Sequence, residues 1–88
     1  MNAEFIFGES KYIDFVISCR TISEFSISSA EFELIDDCGT VVASGNCLID
    51  QHTVSAFISP SSRGRFILEL SYTIPPEERK ARVFVNVI

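Results

Sequence analysis

The single histidine of this sequence, His52, is the residue best suited to catalysis. Cys47, Ser55 and Ser59 lie close to it along the chain, and a histidine that activates a serine or cysteine is a common catalytic pair. Neither a nucleophile elbow of the G-x-S-x-G type nor a glycine-rich oxyanion loop surrounds these residues. We therefore expect His52 to be an exposed turn residue and the protein to have no enzymatic activity.

A metal site would require Cys38, Cys47, His52 and Asp50 to come together in one hairpin. Zinc sites usually contain C-x2–4-C or H-x3–5-H pairs, and the sequence has neither spacing. Calcium loops carry alternating Asp or Asn oxygens, a pattern that is also missing from the sequence. The expectation is a protein that holds no metal ion and no cofactor.

The remaining reactive chemistry lies in charged side chains. Two pairs of carboxylates, Asp36-Asp37 and Glu77-Glu78, are typical of a solvated turn and a solvated strand connection. A basic cluster directly follows the second pair and consists of Arg79, Lys80 and Arg82. Because the opposite charges are adjacent, the sequence favours local ion pairs over a phosphate-binding patch.

The composition is that of one small domain, residues 1–88, with 47% hydrophobic residues and a formal charge of −5. This charge disfavours nucleic acid and anionic membrane surfaces as partners. The sequence has neither a signal peptide nor a run of about 18 apolar residues, so we expect no secretion and no membrane span. The sequence has three cysteines, Cys19, Cys38 and Cys47. This odd number, without a secretory signal, argues against a disulfide framework.

Apolar residues recur at every second position through most of the chain, which is the period of a β-strand. Seven to eight strands with short spacings indicate a β-sandwich, with a small barrel as the alternative. The predicted strands are residues 3–7, 11–19, 30–36, 40–44, 47–50, 53–59, 64–74 and 81–88.

The segments between these strands are predicted from their turn residues. Residues 20–28 form a loop with Phe25 or Ile27 filling the core, and the Gly-Asn pair 45–46 ends the fourth strand. Pro75-Pro76 ends the seventh strand because proline lacks the N–H that a strand ladder needs. Residues 77–80 are then expected to be a solvated connection.

The last strand is apolar on both faces. Val83, Val85 and Val87 alternate toward one side, while Phe84 and Ile88 point to the other. Such a strand is expected to be covered on its second face, either by a neighbouring subunit or by a loop of its own chain.

Three segments carry a family resemblance and together cover most of the chain: GESKYIDFVI, SSAEFELIDDCGTVVASGNCLID and ISPSSRGRFILELSYTIPPEERKARVFVNV. Their order resembles a G-[DE]-S opening, a D-x-x-G hairpin followed by I-x-D, and an S-P loop followed by a final V-x-V strand. In this order they are similar to small immunoglobulin-like β-sandwich domains of tail and baseplate proteins from phages and prophages of Gram-positive bacteria. Phe66 stands where that family often has tyrosine.

The resemblance implies an all-β, immunoglobulin-like sandwich of seven to eight short, mostly antiparallel strands. It also implies a structural role in a virion or its assembly, without cofactor or turnover, through contacts with further copies of the chain or with other virion proteins. Such a protein is made in the bacterial cytoplasm and then enters the virion. Because the sequence stops at Ile88, we expect an assembly subunit or decorating protein rather than a direct host-binding protein.

The first and last strands are the predicted contact surface, since strand edges and exposed apolar faces are what such domains use for binding. The alternative is a carbohydrate- or cell-surface-binding sandwich, which usually stacks sugars on tryptophan, and the sequence has no tryptophan. The residues of the predicted contact surface are Phe5, Phe7, Phe84 and Ile88.

Overall fold

The structure is a computed structural model that describes residues 2–17 and 25–88. None of these residues is helical, and eight β-strands account for most of them. The strands are β1 Asn2–Phe5, β2 Lys11–Val16, β3 Ser29–Asp36, β4 Val41–Asn46, β5 Leu48–Asp50, β6 Thr53–Ile58, β7 Gly64–Ile74 and β8 Glu77–Val87.

The strands form two sheets, one of five strands in the order β1-β8-β7-β3-β4 and one of three in the order β2-β6-β5. All neighbouring strands are antiparallel except β1, which pairs with β8 in parallel. The predicted all-β sandwich of mostly antiparallel strands is confirmed.

The core lies between the two sheets because each sheet turns one apolar side inward. In the large sheet, Leu34 of β3, Leu68 of β7 and Val83 of β8 are at most 2% exposed. In the small sheet, Val54 and Ala56 of β6 are completely buried. The inward sides of these strands are those that the period-two pattern predicts.

The β7–β8 hairpin corrects one prediction. Residues 77–80 are not a solvated connection, because β8 begins at Glu77, which stands in register opposite Ile74. Only Pro75-Pro76, joined by a cis peptide bond, lies in the turn. The hairpin is therefore a long ribbon whose two strands have eleven residues each.

The fourth strand corrects another prediction, since β4 continues through Gly45 and Asn46. Gly45 lies opposite Phe32 in register, and a Cβ atom on Gly45 would stand 3.1 Å from Cε1 of the Phe32 ring. The glycine thus gives room to a core ring within the strand instead of ending the strand.

The first two strands are shorter than predicted. β1 ends at Phe5, so Phe7 lies beyond it, and β2 ends at Val16. The third cysteine, Cys19, which was expected at the end of the second strand, falls outside the described residues. Both candidates for filling the core do so, with Ile27 7% exposed and Phe25 partly buried against the core.

We expect Leu68→Ala to lower the free energy of unfolding by about 2–5 kcal/mol, because it leaves a cavity in the central strand of the core. The neighbouring Ile67 points to the opposite side of β7, so Ile67→Ala should cost only about 1 kcal/mol. Urea unfolding of both variants measures the difference, and equal losses would contradict the assignment of the two faces.

Candidate interaction face of the five-stranded sheet

The histidine is not an exposed turn residue as expected. His52 lies in the β5–β6 turn, is partly buried, and stacks its ring on Phe25 with centroids 4.0 Å apart. Its Nε2 atom lies 3.0 Å from the carbonyl oxygen of Phe25, to which it donates a hydrogen bond. His52 therefore ties the segment before β3 to the β5–β6 turn.

The two described cysteines do not combine with His52 into a metal site. Among the described residues, the one group of three ligand types close together is Asp36, Asp37 and Cys38. Asp36 accepts hydrogen bonds at Oδ1 from the backbone N–H groups of Cys38 and Thr40, at 2.9 and 2.8 Å. These carboxylates thus serve the β3–β4 turn, as the sequence indicates.

Cys47 is an unreactive thiol. Burial, and to a lesser extent the nearby carboxylate of Glu31, raises its pKa to about 11. At pH 8 only roughly one molecule in a thousand then carries the thiolate that acts as nucleophile.

An apolar row crosses the outer side of the five-stranded sheet, the side that faces away from the core. Cross-strand register places Phe84 of β8 beside Ile67 of β7, Ile67 beside Ile35 of β3, and Ile35 beside Val41 of β4. Phe84 is 64% exposed and Val41 47% exposed, while Ile35 and Ile67 are partly buried. We call these four residues the apolar row and this side of the sheet the outer face.

A charged row runs beside the apolar row and is separated from it by two residues on each strand. It contains Arg82 of β8, Glu69 of β7 and Glu33 of β3 in adjacent register positions. Nε of Arg82 donates a hydrogen bond of 2.9 Å to Glu69, and Nζ of Lys80 lies 3.5 Å from the same carboxylate. Glu69 is only 9% exposed because these two side chains cover it.

The next row along the strands again has a basic residue on β8 and an acidic residue on β3. Lys80 of β8 pairs in register with Ser71, and Ser71 pairs with Glu31 of β3. In these two rows the outer face is basic on β8, through Lys80 and Arg82, and acidic on β3, through Glu31 and Glu33. In the following row β8 carries Glu78, opposite Thr73 of β7. The apolar row lies next to this division.

A groove of about 700 Å³ extends the outer face on the other side of the apolar row. Its lining includes Phe84 and the polar side chains of Glu4, Arg65 and Asn86, together with the apolar Ala3, Phe66 and Val85. Apolar contact area with a polar surround is the usual composition of a protein interface.

The four predicted contact residues occupy different places. The prediction for Phe5 is wrong, because Phe5 is completely buried in the core and cannot reach a partner. Phe7 is 42% exposed beneath the guanidinium of Arg63, and Ile88 is 53% exposed at the end of the sheet. Phe84 is the member of this set that belongs to the apolar row, and at 64% exposure it is not covered by any loop among the described residues.

Sequence reasoning missed the other members of the apolar row, Ile35, Ile67 and Val41. They come from three strands that are far apart along the chain, and only the cross-strand register brings them beside Phe84. A two-residue turn at Pro75-Pro76 would have shown the pair of Ile67 with Phe84, because hairpin register follows from turn length.

The small sheet has a second exposed apolar surface, which also includes Val16 of β2 and Leu48 of β5. Tyr12 and Phe57 make an edge-to-face pair with ring centroids 4.9 Å apart, and they are 52% and 48% exposed. Beside them, the hydroxyl of Ser55 donates a hydrogen bond of 2.6 Å to Asp14.

Comparison with models of known protein families and with curated protein sequences found no match. No described segment forms a helix with the length and hydropathy needed to cross a membrane.

The pKa of Glu69 lies below its ordinary value of 4.5, mainly because of the hydrogen bond from Arg82 and then the charge of Lys80. A lowered pKa in the folded state stabilises the fold above the ordinary pKa, and this contribution disappears as the pH falls through the folded-state value. We expect Glu69→Gln to be less stable than the wild type at pH 7, with a difference that shrinks below pH 4.5.

Urea unfolding between pH 3 and pH 7, roughly the range over which carboxylates titrate, measures this difference. Glu33→Gln is the matched control, since Glu33 lies opposite Glu69 on the same face and has no ion pair among the described residues. A pH-dependent loss of the same size in both variants would contradict the role of the Glu69 ion pairs.

Proposed function

We propose that this protein is a non-enzymatic structural or assembly protein that works by binding other protein chains through its outer face. The observation that carries the proposal is the apolar row, which crosses four strands and exposes Phe84 to 64%. Contiguous exposed apolar residues bordered by polar ones are characteristic of protein-binding surfaces.

The chemistry of the outer face fits protein contact. Aromatic and apolar side chains at the centre of an interface supply most of its affinity, and charges at its border supply specificity. Phe84 is the largest and most exposed side chain of the apolar row, whereas Arg65, Arg82 and Glu33 provide charge around the row. These side chains stand on paired strands of one sheet, so the surface is already formed before a partner arrives.

The biological setting that we propose rests on the family resemblance. It is the tail or baseplate of a phage or prophage of Gram-positive bacteria, with an immunoglobulin-like module as the building block. The partners would be further copies of the chain or other virion proteins, first met in the bacterial cytoplasm where the virion assembles.

Phe84→Asp should weaken protein association at least about tenfold while leaving the fold intact, because a carboxylate replaces the largest exposed apolar side chain of the row. Association is measured in two ways. One is the solution mass of the purified protein over a concentration series, and the other is the affinity for each virion protein encoded by the same phage genome.

Val16→Asp is the matched control, because Val16 is 79% exposed on the other sheet. It should associate like the wild type, and circular dichroism checks that both variants are folded. If neither kind of association depends on Phe84, the proposed function is wrong. If Phe84→Asp unfolds the protein, Phe84 has a structural role and the proposed surface is wrong.

The exposed pair of Tyr12 and Phe57 favours a second candidate, a carbohydrate- or cell-surface-binding module. Aromatic faces bind the apolar sides of sugar rings, and the neighbouring Asp14 and Ser55 could hydrogen-bond hydroxyl groups. Binding on a glycan array that disappears in Tyr12→Ala but persists in Phe84→Asp would favour this candidate over protein assembly.

A further inference from the structure

We propose that the partner of the outer face is a second copy of this chain, packed face to face about a two-fold axis that runs parallel to β7. This inference rests on the proposed function and names its partner. It follows from the way in which apolar and charged residues are distributed over the strands of the five-stranded sheet.

The strand order decides which strands would meet. In the order β1-β8-β7-β3-β4, β7 is the middle strand, with β8 on one side and β3 on the other. A two-fold axis parallel to β7 keeps the position along the strand and exchanges the two sides. It therefore places β8 of one copy over β3 of the other and β7 over β7.

Three members of the apolar row are self-complementary under this operation, whereas Val41 of β4 comes over β1 of the second copy. Phe84 of one copy comes over Ile35 of the second copy, and Ile67 comes over its own equivalent near the axis. Phe84, the most exposed member, thereby meets Ile35, which is partly buried and leaves room for a large ring. A two-fold interface uses the same patch on both copies, so each contact occurs twice.

The charges select this axis over the alternative. Arg82 comes over Glu33 of the second copy and Lys80 over Glu31, so basic β8 faces acidic β3 on both sides of the axis. A two-fold axis perpendicular to the strands would instead place β8 over β8 and β3 over β3, with like charges together. Opposed like charges suppress the wrong arrangement.

Glu69 lies close to the axis and would face its own equivalent. Its carboxylate is already bound by Arg82 and Lys80 of its own chain and is only 9% exposed. Because two cations neutralise it, the repulsion across the axis is reduced.

The outer face is large enough for an interface between two copies. The five strands contain 40 residues, each of which occupies about 3.3 Å along its strand and about 4.8 Å across it. The resulting area of roughly 630 Å² approaches the ~800 Å² per partner of a standard interface.

A charge exchange tests the arrangement. One variant makes the face basic with Glu31→Lys and Glu33→Lys, and the other makes it acidic with Lys80→Glu and Arg82→Glu. Both also carry Glu69→Gln, so that no covered carboxylate loses its partners, and Glu69→Gln alone is the background control. Light scattering after size exclusion measures the solution mass of each protein and of an equimolar mixture.

We expect the wild type and Glu69→Gln to dimerise, each charge variant to dimerise at least about tenfold more weakly, and the mixture to recover the mass of a dimer. The weaker dimerisation of the single variants is specific to the axis parallel to β7, because an axis perpendicular to the strands already opposes like charges in the wild type. The mixture recovers because a basic face then meets an acidic one. Charge variants that dimerise like the wild type would overturn the proposal, and so would a mixture that remains monomeric while both variants are folded.

A measurement without substitutions covers the case in which a charge variant fails to fold. Isotope-filtered NMR of mixed labelled and unlabelled wild-type chains should give intermolecular contacts between Phe84 and Ile35. Contacts confined to Tyr12 and Phe57, or no intermolecular contacts at all, would overturn the proposal.

The outcomes also separate this inference from the proposed function. A wild type that stays monomeric up to about 1 mM, where even weak affinity would be seen, overturns the second copy as partner. If the same protein binds another virion protein and Phe84→Asp abolishes that binding, the proposed function stands and only its partner was misassigned.

Discussion

The register between β7 and β8 is the constraint on which the rest of the large sheet depends. These two strands pair over their full length, from Ile74 with Glu77 to Gly64 with Val87. β7 binds β3 along its other edge and β8 binds β1, so four of the five strands take their positions from this hairpin. A slip by one residue would turn the core side of a strand outward and the charged side inward.

The same register also determines which charged residues are neighbours on the outer face. Glu33 and Glu69 are directly opposite each other on β3 and β7, an arrangement that normally destabilises a sheet. Arg82 stands on the other side of Glu69 and donates to it, and Lys80 adds a second cation. The local ion pairs therefore allow two carboxylates to adjoin an apolar row without isolating a covered charge.

The period-two alternation of apolar residues predicted which side of each strand faces the core. Examples are Ile13 and Phe15 in β2 and Val54 and Ala56 in β6, all of which are buried. This was possible because burial is decided residue by residue along one strand. The continuation of β4 through Gly45 was not predictable in this way, since it depends on the ring of Phe32 in the neighbouring strand.

The outer face was predicted only in part, because its residues also depend on pairing between strands. Phe84 was recognised because its own strand is apolar on both faces, and the burial of Phe5 was missed because a four-residue strand gives too little alternation to assign a side. The apolar row as a whole depends on pairing between strands distant in sequence, which a pattern within one strand does not contain.

The irregularity between β3 and β4 has a consequence for how copies of this protein can meet. β4 is an outer strand of its sheet and carries no charged residue, which would normally invite another strand to add to it. The pairing shifts between Leu34 and Ile35, so that Val42 has no partner in the ladder and only four regular pairs remain, Ala43–Asn46 with 31–34. Such a bulge twists and shortens this edge, which makes strand addition to β4 unfavourable. Contact through the outer face, in contrast to strand addition at β4, leads to an assembly of finite size.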